Sequence, residues 1–148
     1  MKLLAHYGDD DPTPVANGFL FPDGTLFPVD GASIRRPPVS FPIRSDTPGR
    51  LDESFVWAGT FAAATAFDPG SGLIAVAGEG SMGADGFVAL CEPADRALRW
   101  LLFLDFSNPF HAVEFAGGRI QASNNLRERW SIPIDASGAI EVISLGGF

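Results

Sequence analysis

At 148 residues, 46% hydrophobic and 19% charged, the chain can bury one core and is expected to form a single domain over 1–148. Eighteen acids against ten Lys and Arg give a formal net charge of −8; gripping phosphates needs clustered positive charge, so direct nucleic-acid binding is excluded as an expectation. Cys91 is the only cysteine, so an internal disulfide and a multi-thiolate metal site are both out of reach, and a cytoplasmic home is expected. Met1–Tyr7 gives way to Gly8 and three aspartates before a secretory segment can form, and no apolar run approaches membrane-spanning length, so a soluble chain with no membrane partner is expected.

In chain order, eight of the twelve prolines fall within residues 1–50. Proline lacks the N–H that a helix or a central strand needs, so this third is predicted to hold loops and short edge strands. Within it, Gly18–Phe21, Pro22-Asp23-Gly24 and Thr25–Phe27 read as a hairpin, because Asp-Gly supplies the positive-φ positions of a tight turn. A second Asp-Gly, Asp30-Gly31, is expected to end the returning strand. From Phe55 to Phe67 the bulk sits on odd positions, Phe55, Trp57, Phe61 and Phe67 among them. Period two predicts a strand with one aromatic face; Ala62-Ala63-Ala64 leaves a short helix as the alternative.

After Asp68-Pro69-Gly70, strands are predicted over Leu73–Ala77, Phe87–Cys91, Leu98–Phe106, Phe110–Phe115, Arg119–Ser123, Arg129–Ile134 and Ala139–Leu145, with turn chemistry between nearly all of them. Gly117-Gly118 and Asp135–Gly138 are the clearest turns. Arg99–Leu104 is apolar on both faces after its first residue, as befits a central strand covered on both sides. A weak internal repeat sets Ile74 against Ile120 and Val88 against Trp130, a spacing similar to that of propeller blades. The chain is too short for a comfortably closed ring, so the predicted fold is all-β: an antiparallel meander forming a compact sandwich or partly closed barrel with propeller-blade-like hairpins. Residues 54–148 would form the main sheet.

Few residues suggest chemistry. Gly78-Glu79-Gly80-Ser81-Met82-Gly83 has the G-x-G-x-x-G spacing, but a strand at Phe87 follows where the dinucleotide fingerprint needs a helix N-terminus to hold a pyrophosphate, so no cofactor is expected. Ser81 has Glu79 where a nucleophile elbow needs glycine. Two histidines, His6 and His111, are too few for an expected metal site. His111, with Asp105 and Glu114 near in sequence, offers a conceivable general base; a rim histidine satisfied by a neighbour is the plainer reading. Cys91 suits a buried apolar thiol. Asp9-Asp10-Asp11 beside Tyr7 reads either as a solvated loop or as an aromatic anchor with charge that steers a basic partner.

Arginine makes up nearly all of the positive charge, with Lys2 the only lysine, and these arginines are expected to pair with nearby acids. Charge, size and the lack of a catalytic signature favour a non-enzymatic binding protein. A propeller-like scaffold, or a small enzyme using His111 with Asp105 and Glu114, are the alternatives. Phe106-Ser107-Asn108-Pro109-Phe110, the Gly117-Gly118 hairpin and Trp130–Ile134 together resemble segments of small bacterial immunity proteins, the antidotes encoded beside secreted toxins. That resemblance implies a cytoplasmic antidote that occludes a basic cognate toxin domain, and it transfers no functional residue. The expected partner-binding residues are Tyr7, Asp9, Asp10, Asp11, Glu79 and Asp85.

Overall fold

In a computed structural model, residues 9–30, 36–52 and 54–146 are described, apart from the side chains of residues 9–12. The described fold is all-β and antiparallel, without a helix. An eight-stranded sheet in the order β1-β6-β7-β8-β9-β2-β3-β5 curls into a half-barrel. It contains β1 (Asp9–Pro14), β2 (Gly18–Leu20), β3 (Thr25–Pro28), β5 (Gly49–Arg50), β6 (Trp57–Asp68), β7 (Leu73–Gly80), β8 (Gly86–Cys91) and β9 (Leu98–Leu104). The second sheet runs β10-β11-β12-β13-β4, from β10 (Phe110–Ala116), β11 (Arg119–Asn124), β12 (Glu128–Pro133), β13 (Ala139–Ser144) and β4 (Val39–Pro42).

Residues 54–146 thus divide between two sheets, where one main sheet was expected. Each carries a four-strand meander, β6–β9 in one and β10–β13 in the other, and the two correspond in order to the internal repeat. The meanders face each other across one core: Ala75, Ala77, Val88, Leu90, Trp100, Leu102 and Leu104 meet Phe41, Phe110, Ile120, Trp130, Ile132, Ile140 and Val142. Trp100 ties the layers together, packing edge-on against Phe19 at 4.9 Å and donating its indole N–H to the carbonyl of Ile134 at 2.8 Å.

A second core fills the other face of the curled sheet. Leu20, Leu26, Ala58, Val76, Phe87, Ala89, Cys91, Leu101 and Phe103 lie there, closed by Leu51 and Phe55 from the segment before β6. Alternate residues of β8 and β9 therefore enter different cores, which is why both strands are apolar without alternation. The expected central strand is β9, buried from Trp100 to Leu104 between β8 and β2.

The proline-rich third behaves less uniformly than expected. Pro12 and Pro14 lie on β1 and Pro42 on β4, both edge strands, where a missing N–H costs no ladder bond. The short β2, however, is internal, hydrogen-bonded to both β3 and β9 and buried throughout; Gly18-Phe19-Leu20 contains no proline and supplies every ladder donor. Its hairpin closes as predicted, with Gly24 at φ 89° and the Thr25 N–H donating to Asp23 Oδ1 at 2.9 Å. Gly31 of the second Asp-Gly lies outside the described residues.

Strand β6 forms over the predicted stretch instead of a helix, but its aromatics do not share one face: the register sets Phe61 opposite Glu79 and Phe67 opposite Ile74, which lie on opposite faces of β7. Trp57, Phe61 and Phe67 are 43%, 38% and 57% exposed, while Ala58 and Thr60 face inward. A bulge between Ala62 and Ala64 shifts the register against β7. Opposite it, Gly78 has no room for a side chain, since a Cβ would strike the Phe61 carbonyl. Small residues here let β10 lie close against β6 and β7.

Candidate functional site: an acid-rimmed aromatic pocket and an exposed acidic strip

At one end of the sandwich the inward face of the five-stranded sheet forms the floor of a pocket of ≈ 430 Å³. Register builds it. Val142 of β13 sits opposite Trp130 of β12 on one side and Val39 of β4 on the other. Residues two apart on a strand share a face, so Glu128 joins Trp130, and Phe41 joins Val39. The β9–β10 loop adds Asp105, Phe106 and Asn108; the β7–β8 turn adds Ala84, and the β11–β12 turn adds Leu126.

The apolar part is an interlocked ring cluster. Phe41 stacks on Trp130 with centroids 5.5 Å apart and an 18° interplanar angle, and Phe106 meets Phe41 edge-on, also at 5.5 Å. Phe110 braces Trp130 from the core at 5.8 Å. Arrangements of this kind add about 0.5–1.5 kcal/mol per pair beyond area burial, which holds the floor rigid.

The polar part is organised by Asn124, a buried residue at the end of β11. Its Nδ2 donates to the Ser107 carbonyl at 2.8 Å and to Glu128 Oε1 at 2.7 Å. Its Oδ1 accepts from the N–H groups of Leu126 and Glu128, at 3.1 and 3.0 Å. One side chain thus shapes the β11–β12 turn, anchors the loop that carries Phe106 and aims the Glu128 carboxylate. Trp130 Nε1–H adds a second donor to Glu128 Oε1 at 3.3 Å. Among the described residues, Oε2 of Glu128 has no hydrogen bond, and the pocket is lined by two acids, Asp105 and Glu128, and by no base. Asn108, at φ 62°, donates its N–H to the Ala84 carbonyl at 2.8 Å, joining the two turns into one wall.

The acids singled out in the sequence lie elsewhere. Backbone register sets Asp9 of β1 opposite Phe61, and Phe61 opposite Glu79 of β7. Glu79 is exposed, and Met82, 48% exposed, follows it in the turn whose Ser81 N–H donates to the Gly59 carbonyl at 3.0 Å. Trp57 and Phe61 therefore share the face of β6 that meets Glu79 on one side and the acidic β1 on the other. Tyr7 lies outside the described residues; Asp9, Asp10 and Asp11 belong to β1, an edge strand instead of a free loop.

Asp85 is corrected outright as a surface contact. It is fully buried, with Oδ2 accepting from the Met82 N–H at 3.3 Å and Oδ1 without a partner among the described residues. Gly80 makes the burial possible, because a Cβ there would strike the Asp85 carboxylate. The glycine-rich run as a whole is the end of β7 and the β7–β8 turn, with Gly83 at φ 98°, and strand β8 follows it.

His111 is exposed, and its Nε2 donates to the Asn124 carbonyl at 2.8 Å, so this nitrogen is held by backbone and not by Asp105 or Glu114. Cys91 is buried in the second core. No cluster of three or more His, Cys, Asp or Glu fit to hold a metal occurs among the described residues, and no helix there is long and apolar enough to cross a membrane.

Sequence reasoning placed Trp130 on a strand but missed Asn124 and Glu128. The legible signal was Glu128 two residues before an inward tryptophan, a carboxylate on the core side of its strand. The chain matches no protein-family model, no curated protein and no solved structure.

Proposed function

We propose that the chain is a non-enzymatic binding protein of the immunity type, lying on a basic cognate toxin domain and occluding it. The observation that carries this reading is the strip in which exposed Trp57 and Phe61 adjoin exposed Glu79 and the register position of Asp9. Aromatic side chains give an interface its anchors, and neighbouring carboxylates steer a basic partner and exclude acidic ones. A net charge of −8 supplies the long-range field. A pocket lined, among the described residues, by two acids and no base supports the same sign of partner.

The test is capture from the native host's extract, split into basic and acidic fractions. A partner retained from the basic fraction should lose roughly ten-fold or more in affinity against Glu79→Lys combined with lysine at Asp9, Asp10 and Asp11, and the salt dependence should flatten. Unchanged affinity, or retention from the acidic fraction alone, overturns the reading.

A further inference from the structure

We propose that the pocket between β4, β12 and β13 is the seat for one arginine side chain of the basic partner. The inference rests on the binding-protein reading above and names the chemistry by which that partner is recognised. An arginine has two dissimilar parts, an apolar stem and a flat cation. A site for it needs an apolar channel wide enough for the stem, a flat surface for the guanidinium, and a carboxylate held in place without already being neutralised.

The pocket supplies each. Val39, Val142 and Leu126 provide aliphatic walls, and Phe41 and Phe106 provide rings against which a guanidinium stacks. Glu128 is fixed through Oε1 by two neutral donors, Asn124 and Trp130. Neutral donors orient the carboxylate but leave its charge, and among the described residues none bonds Oε2, which is placed for an incoming cation. Asp105, exposed and with its own N–H donating to Asn17 Oδ1 at 2.8 Å, puts a second carboxylate at the same pocket. An acidic or purely apolar occupant would leave these charges desolvated and unpaired, a penalty that sets the sign of the ligand. The volume of ≈ 430 Å³ falls within the range of sites that enclose a small group.

The experiment uses the full chain, with N-acetyl-arginine amide as the probe and N-acetyl-citrulline amide, its neutral near-isostere, as the comparator. The Trp130 indole N–H and the Leu126 and Val142 methyl signals are followed by NMR. Arginine amide should shift these signals saturably, with affinity on the order of millimolar, and citrulline amide should bind roughly ten-fold more weakly. Glu128→Gln keeps an oxygen to accept from Asn124 and Trp130 while removing the charge, so it should stay folded and lose roughly ten-fold in arginine affinity.

Equal binding of citrulline, full affinity in Glu128→Gln, or no saturable shift overturns the assignment. Failure here with a captured partner still sensitive to Glu79→Lys removes the pocket alone; insensitivity to Glu79→Lys with intact arginine binding removes the strip and leaves the pocket.

Discussion

Strands β8 and β9 are buried along nearly their whole length, whereas β11 to β13 mix buried with exposed or half-exposed residues and β10 is buried only at Phe110. The eight-stranded sheet has a core on each face; the five-stranded sheet has one. Doubly covered strands such as β8 and β9 contribute their side chains to stability and have none left on a surface. A singly covered sheet can run past its partner at one end and leave inward residues open, and there the aromatic pocket forms. The strands buried on both faces and the surfaces proposed for binding are therefore different parts of one small body.

The comparison is broken most forcefully at Phe103, fully buried in the second core. Phe103→Ala should cost about 3–5 kcal/mol in chemical denaturation, while Ile143→Ser, on the exposed side of β13, should stay within about 0.5 kcal/mol. Equal losses would mean that the two sheets are not loaded differently. Next comes Asn124→Ala, which leaves the Leu126 and Glu128 N–H groups and the Ser107 carbonyl without their partner. A cost of about 2–3 kcal/mol is expected, and arginine binding should fall with it, since Asn124 positions Glu128. Third, Glu79→Lys should change stability by no more than about 0.5 kcal/mol while weakening partner binding, as befits an exposed acid.

The smallest effect concerns the turn between β6 and β7. The Ser71 side chain, and then the N–H groups of Gly70 and Ser71, hydrogen-bond the Asp68 carboxylate and hold its pKa below the ordinary 3.8. A carboxyl whose folded-state pKa is depressed stabilises above its unfolded value, and the contribution is lost as pH falls through the lower folded-state value. Asp68→Asn should therefore flatten the acid limb of the stability profile slightly and leave neutral-pH recognition unchanged.

How much of this was legible follows from where the information sits. Arg99–Leu104 reads as a doubly covered strand because burial on both faces removes alternation from the strand itself, a local signature. Gly117-Gly118 reads as a hairpin for a local reason too, both glycines adopting positive φ, at 63° and 72°. The exposure of the β6 aromatics was not legible, since period two shows that a strand has two faces without showing which one the fold covers or where a bulge exchanges them. Asp85 misleads for a similar reason: an acid among glycines resembles a solvated turn, and only the approach of Gly80 buries it. The pocket was least accessible, because its parts come from β4, β12, β13 and four separate connections. Only the register that places Val142 between Trp130 and Val39 assembles them.

The central claim is that this acidic body acts by lying against a basic macromolecule. Its most direct test is the association rate of the partner captured from the native host, measured against ionic strength for the unaltered chain and for Glu79→Lys. The account predicts a rate that falls steeply with salt and a shallower fall in the variant. A rate indifferent to salt and identical in both proteins would contradict it.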